Sequence, residues 1–215
     1  MQLKTGRFIT LEGMEGAGKS TNLEYLCSLF EQRGLPFIVT REPGGTEVAE
    51  AIRELLLKQH DEAIVPMSEL LLVFAARAQH LERVIVPALQ RGQWVICDRF
   101  TDATYAYQGC GRQMGPEQVE RLEAWVQGEL RPDLTIVLDV PVALSVERIS
   151  ARAELDRFEA EPTAFFERVR EGYLSRANTD ARRYRLVDAS RTLPEVQQQL
   201  LEIIESFIEA AHRYE

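Results

Sequence analysis

Residues 13–20 read Gly-Met-Glu-Gly-Ala-Gly-Lys-Ser and satisfy the pattern G-x-x-x-x-G-K-[ST]. The octapeptide follows the apolar run Phe8-Ile9-Thr10-Leu11 and opens a helical pattern, the setting in which such a loop works. Its glycines let the backbone N–H groups of Gly13, Met14, Glu15, Gly16, Ala17 and Gly18 turn inward on a polyphosphate. The helix behind them presents its positive dipole end at the same place. Lys19 adds a point charge, and Ser20 offers a hydroxyl to Mg²⁺. A glycine-rich turn with no ligand would share the glycines but would not need Lys19 and Ser20.

A loop of this kind joins a buried strand to a helix, and the remainder of the chain repeats that alternation. Apolar runs predict strands near residues 7–11, 36–40, 94–97, 134–140 and 184–187; the first, third and fourth are continuous, as strands buried on both faces are. Helical patterns lie near 18–33, 47–58, 67–91, 116–128, 142–153, 163–178 and 193–212. In the last, Val196, Leu200, Ile203, Ile204, Phe207, Ile208 and Ala211 share one face, most simply a core face. The pattern is that of an α/β fold, a five-stranded parallel sheet flanked by helices.

The chain has 215 residues and no Pro-, Ser- or Gly-rich linker, which predicts one domain over residues 1–215. Its formal net charge of −9 argues against a nucleic-acid-binding face, so a polyphosphate must meet a local basic cluster. Cys27, Cys97 and Cys110 form no pair and suit a reducing compartment, with Cys27 and Cys97 expected in the core. The longest apolar run, residues 70–76, is too short to span a bilayer. A cytoplasmic protein with no membrane partner is expected.

Ligands of open parallel sheets gather beyond the carboxyl ends of the strands. The third strand leads into Asp98-Arg99-Phe100, which sets a carboxylate where Mg²⁺ or its water shell would lie and a guanidinium beside it. A structural ion pair at a strand end would look similar. The second strand leads into Arg41-Glu42-Pro43-Gly44-Gly45, by itself only a turn.

Taken together, GMEGAGKS, TREPGGT at 40–46, LLVFAAR at 71–77, DRFTDATYAYQG at 98–109 and RAELDRF at 152–158 resemble the bacterial thymidylate kinases, in the family's order from about residue 7 to about 190. The resemblance implies the three-layer P-loop nucleoside monophosphate kinase fold with a short lid near residues 148–160. It also implies transfer of the ATP γ-phosphoryl group to dTMP with Mg²⁺, for dTTP synthesis, in a homodimer packed through long helices such as 67–91.

Residue by residue, the resemblance places Lys19, Glu15, Arg99 and Arg152 in catalysis and Ser20 and Asp98 at the metal. Arg99 and Arg53 would meet the acceptor phosphate, two guanidiniums suiting a dianion; Arg53 could equally be an exposed helix residue. Glu42, Val73, Phe74, Arg77, Thr104, Tyr107 and Gln108 complete the acceptor set. Arg77 would reach O4 of the base, Thr104 and Gln108 its edge, and Tyr107 the sugar; without the resemblance these last three would read as an ordinary polar helix after Asp98. The family's stacking phenylalanine stands four residues before this arginine, where Val73 lies, with Phe74 one position on. Phe74 is favoured as a pocket wall, and Val73 is the alternative.

Glu15 is a carboxylate inside an anion site and needs a hydroxyl or hydrated metal as partner, for which the acceptor's 3′-OH is suited. In the family the loop either carries an arginine beside this acid or draws basic residues from a mobile lid; this loop carries none, so the resemblance implies that Arg148, Arg152 and Arg157 of the lid supply the closing charge, with Arg152 acting like an arginine finger. Alternatively they pair along a solvated helix. The acceptor phosphate is already ionised near neutrality, so no general base is required, and His60, His80 and His212 fall outside the motifs, where surface or helix-packing roles suffice. A GTPase-type switch would need an Asn-Lys-x-Asp motif, whereas Asn22 and Asn178 lie in none. A kinase for another nucleoside monophosphate, or for a deoxynucleoside with Glu15 as base, is the stronger rival.

Overall fold

The computed structural model describes residues 6–150 and 155–213. Among them, β1 (Phe8–Glu12), β2 (Phe37–Arg41), β3 (Trp94–Asp98), β4 (Leu134–Asp139) and β5 (Tyr184–Asp188) form one sheet in the order β2-β3-β1-β4-β5, every pair parallel. The alternation of side chains explains why both faces are covered. Ile9, Leu11, Trp94 and Ile96 point into a large cluster with Leu26 and Phe30 of α1 (Lys19–Gln32) and Leu200 and Ile204 of α9 (Leu193–Arg213). Phe8, Val95 and Cys97 point the other way, onto Leu81, Ile85 and Ala88.

Each strand runs one residue beyond the expected apolar run or stops on the acid within it, ending on Glu12, Arg41, Asp98, Asp139 and Asp188. Ladder hydrogen bonds do not require apolar side chains. The sheet's carboxyl edge is therefore a row of charged groups.

The helices α2 (Glu47–Leu57), α6 (Pro116–Gln127) and α8 (Thr163–Ala177) lie as expected. α7 spans Val142–Ser150, and the residues expected to continue it fall outside those described. The long helix expected over 67–91 is one helical run in three pieces, α3 (Pro66–His80), a π-helical turn Leu81–Ile85 and α4 (Val86–Gln90). Pro87, in the first turn of α4, lacks the N–H a continuous α-helix would use there.

Residues 101–111, left out of the main helical patterns and open only to the alternative of a polar helix after Asp98, form α5 (Thr101–Thr104) continuing as a π-helical segment Tyr105–Gly111. Two threonines and two glycines in this stretch are poor helix formers; tertiary packing holds it. A Cβ on Gly172 of α8 would lie 2.9 Å from the Ala106 Cα, so α8 and this segment touch backbone to backbone. Cys97 is buried as expected, but Cys27 is only half-buried and Cys110 is exposed.

Candidate active site

β1 is central, with the sheet extending through β3 on one side and β4 on the other, and the phosphate loop leaves its carboxyl end at this switch point. Gly13, Gly16 and Gly18 adopt φ of 141°, 72° and 84°. These left-handed or extended-positive conformations turn the intervening amides inward, and Gly18 caps α1 in the same geometry. α7 braces the loop from behind: Ser145 Oγ donates to Glu15 O at 2.7 Å, and Arg148 Nη1 to Gly16 O at 2.9 Å. Lys19 Nζ folds back onto Gly13 O and Met14 O, at 2.9 and 2.8 Å. Burial, then repulsion from Arg99, pushes the Lys19 ammonium down to about 8. Ser20 is exposed at the helix start.

Glu15 has partners that the sequence did not reveal. Arg99 Nη2 donates to its Oε1 at 2.8 Å, and the Tyr107 hydroxyl donates to its Oε2. Burial works to raise its carboxyl, but Arg99, Lys19 and the Tyr107 hydroxyl hold it below the ordinary range. Arg99 sits at φ 66°, unusual for a side-chain-bearing residue, and the next amide, Phe100 N–H, is held at 2.7 Å by buried Glu12 Oε1. Arg53 is half-buried rather than exposed, with Nη1 donating to Pro43 O at 3.0 Å; burial and then repulsion from Arg41 and Arg99 lower its guanidinium. Lys19, Arg53 and Arg99 thus form a local cationic cluster with Glu15 and Asp98 set among them, the basic site an acidic chain needs for an anion.

A cleft runs from this cluster past Phe100, Tyr107 and Phe158 to Val73, Arg77, Thr104 and Gln108. Arg77 is buried yet charged. Its Nε donates to Glu42 Oε2 at 2.7 Å and its Nη2 to Thr104 Oγ1 at 3.0 Å, while Nη1 is buried without a partner. Glu42 Oε1 also accepts from His80 Nδ1 at 3.0 Å, and His80 Nε2 lies 2.6 Å from the Thr40 hydroxyl.

The family model described as thymidylate kinase matches residues 11–200. The chain belongs to the thymidylate kinase family. It is 58% identical over 205 residues to the thymidylate kinase of Pseudomonas savastanoi pv. phaseolicola, covering 95% of this chain and 98% of that one. To the thymidylate kinase of Teredinibacter turnerae it is 54% identical over 204 residues, covering 95% and 100%. That of Pseudomonas syringae pv. syringae is 60% identical over 193 residues, covering 90% and 92%.

Against the thymidylate kinase pattern, the geometry makes three corrections. Phe74 is not a pocket wall: it is 2% exposed and packs with Leu70, Tyr105 and Val119, while Val73, about 100° round the helix, lines the cleft. Phe74 still supports the site from behind, with the Arg77 guanidinium 4.7 Å from its ring centroid. His80 is more than a packing residue, since it holds Glu42.

The third correction concerns the lid arginines Arg148 and Arg157, which are anchored rather than free. Arg148 braces the loop, and Arg157 donates through Nε to Leu56 O at 2.7 Å and pairs with Glu69 at 2.7 Å. Arg152 lies outside the described residues. Ser145, Glu69 and His80 lie outside every motif, whereas Phe100 and Phe158 lie inside DRFTDATYAYQG and RAELDRF without a role assigned to them there.

Proposed function

We propose that this thymidylate kinase family member transfers the γ-phosphoryl group of ATP to dTMP, giving dTDP, within dTTP synthesis. The observation that carries this reading is one cleft whose near end is the phosphate loop with Arg53 and Arg99 and whose far end offers buried hydrogen-bonding groups, Arg77, Thr104 and Gln108. A nucleoside monophosphate has that polarity: a dianion at one end and a base edge at the other.

Two anions must be brought in line against their mutual repulsion, so positioning and charge screening make up most of the catalysis. The loop amides hold the donor's phosphates, and Lys19 exchanges its two carbonyl partners for phosphate oxygens. Arg99 and Arg53 hold the acceptor phosphate, which is ionised near neutral pH and attacks without a base. Glu15 keeps Arg99 aimed and receives the sugar hydroxyl. Arg77 and Gln108 read the base against Val73 and Phe100, and Tyr107 closes the sugar side. Arg152 closes over the transferring group. Asp98 Oδ1 is buried without a partner next to the loop, which fits a carboxylate that serves a hydrated Mg²⁺ together with Ser20. When bound, that ion would neutralise charge on the phosphate oxygens.

Among the described residues no helix is long and apolar enough to cross a membrane. Exposed Val48 and Leu55 on α2 and Met67 and Leu71 on α3, two helices that pack together, support homodimerisation through this face.

The decisive measurement is ADP release from ATP and Mg²⁺ with dTMP, dUMP, dCMP, dAMP, dGMP or free thymidine as acceptor. Preference for dTMP is expected. A higher kcat/KM for any other acceptor refutes the assignment, and turnover of thymidine would require the base that this mechanism omits.

A further inference from the structure

At the base end of the cleft lies an amide whose two faces are chemically opposite. Gln108 is 3% exposed, and its Nε2 donates to Glu69 Oε1 at 2.8 Å. Glu69, on α3, is fully buried. It also takes Arg112 Nε at 3.1 Å, Arg112 Nη2 at 3.1 Å and Arg157 Nη1 at 2.7 Å. With two guanidiniums on it, the carboxylate has a fixed orientation. An ionised carboxylate has no hydrogen to donate, so only the NH₂ of Gln108 can face it. The carbonyl oxygen must then face away from Glu69; Gln108 lines the cleft, and its one side-chain hydrogen bond among the described residues is the one to Glu69. Arg77 lines the same cleft, and its Nη1 is a donor with no partner.

We infer that Glu69 is a positioning residue that sets the pyrimidine preference of the enzyme. It holds Gln108 with its carbonyl oxygen toward the base, so the cleft accepts a ring N–H and rejects a ring-nitrogen lone pair. The inference rests on the dTMP reading and deepens it. Thymine carries a hydrogen on N3 and an oxygen on C4, which match an acceptor beside a donor. Cytosine carries a lone pair on N3 and an amino group on C4, which oppose both. Glu69 touches neither base and acts only through the Gln108 amide.

The variant E69Q separates this role from simple support. Arg112 Nη2 and Arg157 Nη1 both sit on Oε2, so the new amide oxygen takes that place and its NH₂ takes the place of Oε1, facing Gln108 and giving up the Arg112 Nε bond there. The Gln108 amide then reverses and offers hydrogens to the base. We expect the ratio of kcat/KM for dTMP over dCMP to fall by about tenfold or more, the scale of one buried hydrogen bond reversed. Adding E69Q to Q108A should change the ratio no further.

An unchanged ratio in E69Q, or an equal change in the Q108A background, overturns the inference while wild-type dTMP turnover leaves the activity standing. A wild type that does not favour dTMP removes the activity reading instead. Should E69Q fail to fold, the wild-type Gln108 side-chain NH₂, identified in ¹⁵N spectra by its loss in Q108A, gives the answer. Slow exchange with solvent supports the hydrogen bond to Glu69, and exchange as fast as an exposed amide overturns it.

Discussion

Replacing Glu12 by Gln should flatten the pH dependence of stability. Glu12 ends β1 with no exposure; its Oε1 accepts from Phe100 N–H at 2.7 Å and its Oε2 lies 3.0 Å from the Tyr173 hydroxyl oxygen. Burial, then the repulsion of Asp102, pushes its carboxyl up to about 8 from an ordinary 4.5, against the lowering influence of Phe100 N–H, Arg99 and Tyr173. Between those two values the folded chain keeps a proton that the unfolded chain has released, so stability falls as pH rises through this window, by about 1.4 kcal/mol per unit. From pH 5 to 7.5 that is about 3 kcal/mol. The Gln amide reproduces the neutral acid in shape: its oxygen accepts from Phe100 N–H and its NH₂ donates to the Tyr173 oxygen. Urea unfolding of wild type and E12Q in chelator at pH 5 and 7.5 yields the double difference, in which groups that titrate alike in both proteins cancel. E12Q should gain about 3 kcal/mol on wild type between the two conditions. Parallel pH profiles would show that Glu12 is ionised in the fold and that the reasoning is wrong.

Four further outcomes follow from the same geometry. Lys19→Ala should lower turnover by about 100-fold or more while the far-ultraviolet circular dichroism stays native, since among the described residues the hydrogen bonds of Lys19 Nζ go to two loop carbonyls alone; retained ADP release would remove it from the mechanism. Gly16→Ala puts a Cβ 2.7 Å from Ser145 O at φ 72°, so the melting temperature and ATP affinity should both drop, and an unchanged KM for ATP would contradict the assigned loop geometry. Phe74→Leu should cost about 1 kcal/mol of stability with little change in the dTMP KM, whereas Val73→Phe should raise that KM; the reverse pattern would put Phe74 back on the pocket wall. Arg77→Lys keeps the charge but loses the fork between Glu42 and Thr104, so the dTMP KM should rise about tenfold with kcat less affected, and equal losses in both would argue for a transition-state role.

The architecture was legible because two periodicities and one loop motif agree. Apolar runs marked the five strands, and helical spacing marked the long amphipathic elements such as α9. Residues 101–111 were not legible because Thr101, Thr104, Gly109 and Gly111 argue locally against the helix that Gly172 and Phe165 stabilise by close packing. In the cleft, Arg99, Arg77 and Gln108 could be placed from their motifs, but the groups that aim them could not. Glu69 reaches Gln108 across 39 positions, and His80 reaches Glu42 across 38. No local pattern links such pairs. The Phe74 error has the same origin: spacing along α3 gives angular position but not which side faces the cleft.

The buried acids also explain how a chain of net charge −9 builds an anion site. A guanidinium buried alone would be costly, because desolvation opposes its charge. Glu42 meets Arg77 through Nε and leaves Nη1 unpartnered, and Glu15 meets Arg99 through Nη2. In each case the carboxylate neutralises part of the cation and fixes the plane of the guanidinium, so less conformational freedom is lost when a ligand arrives. Glu12 extends the arrangement to the backbone, because its hold on Phe100 N–H fixes the residue after the left-handed Arg99. The acids around the cleft thus act mainly as supports for its donors, which is why removing one would disorder recognition without making the site more basic in any useful way.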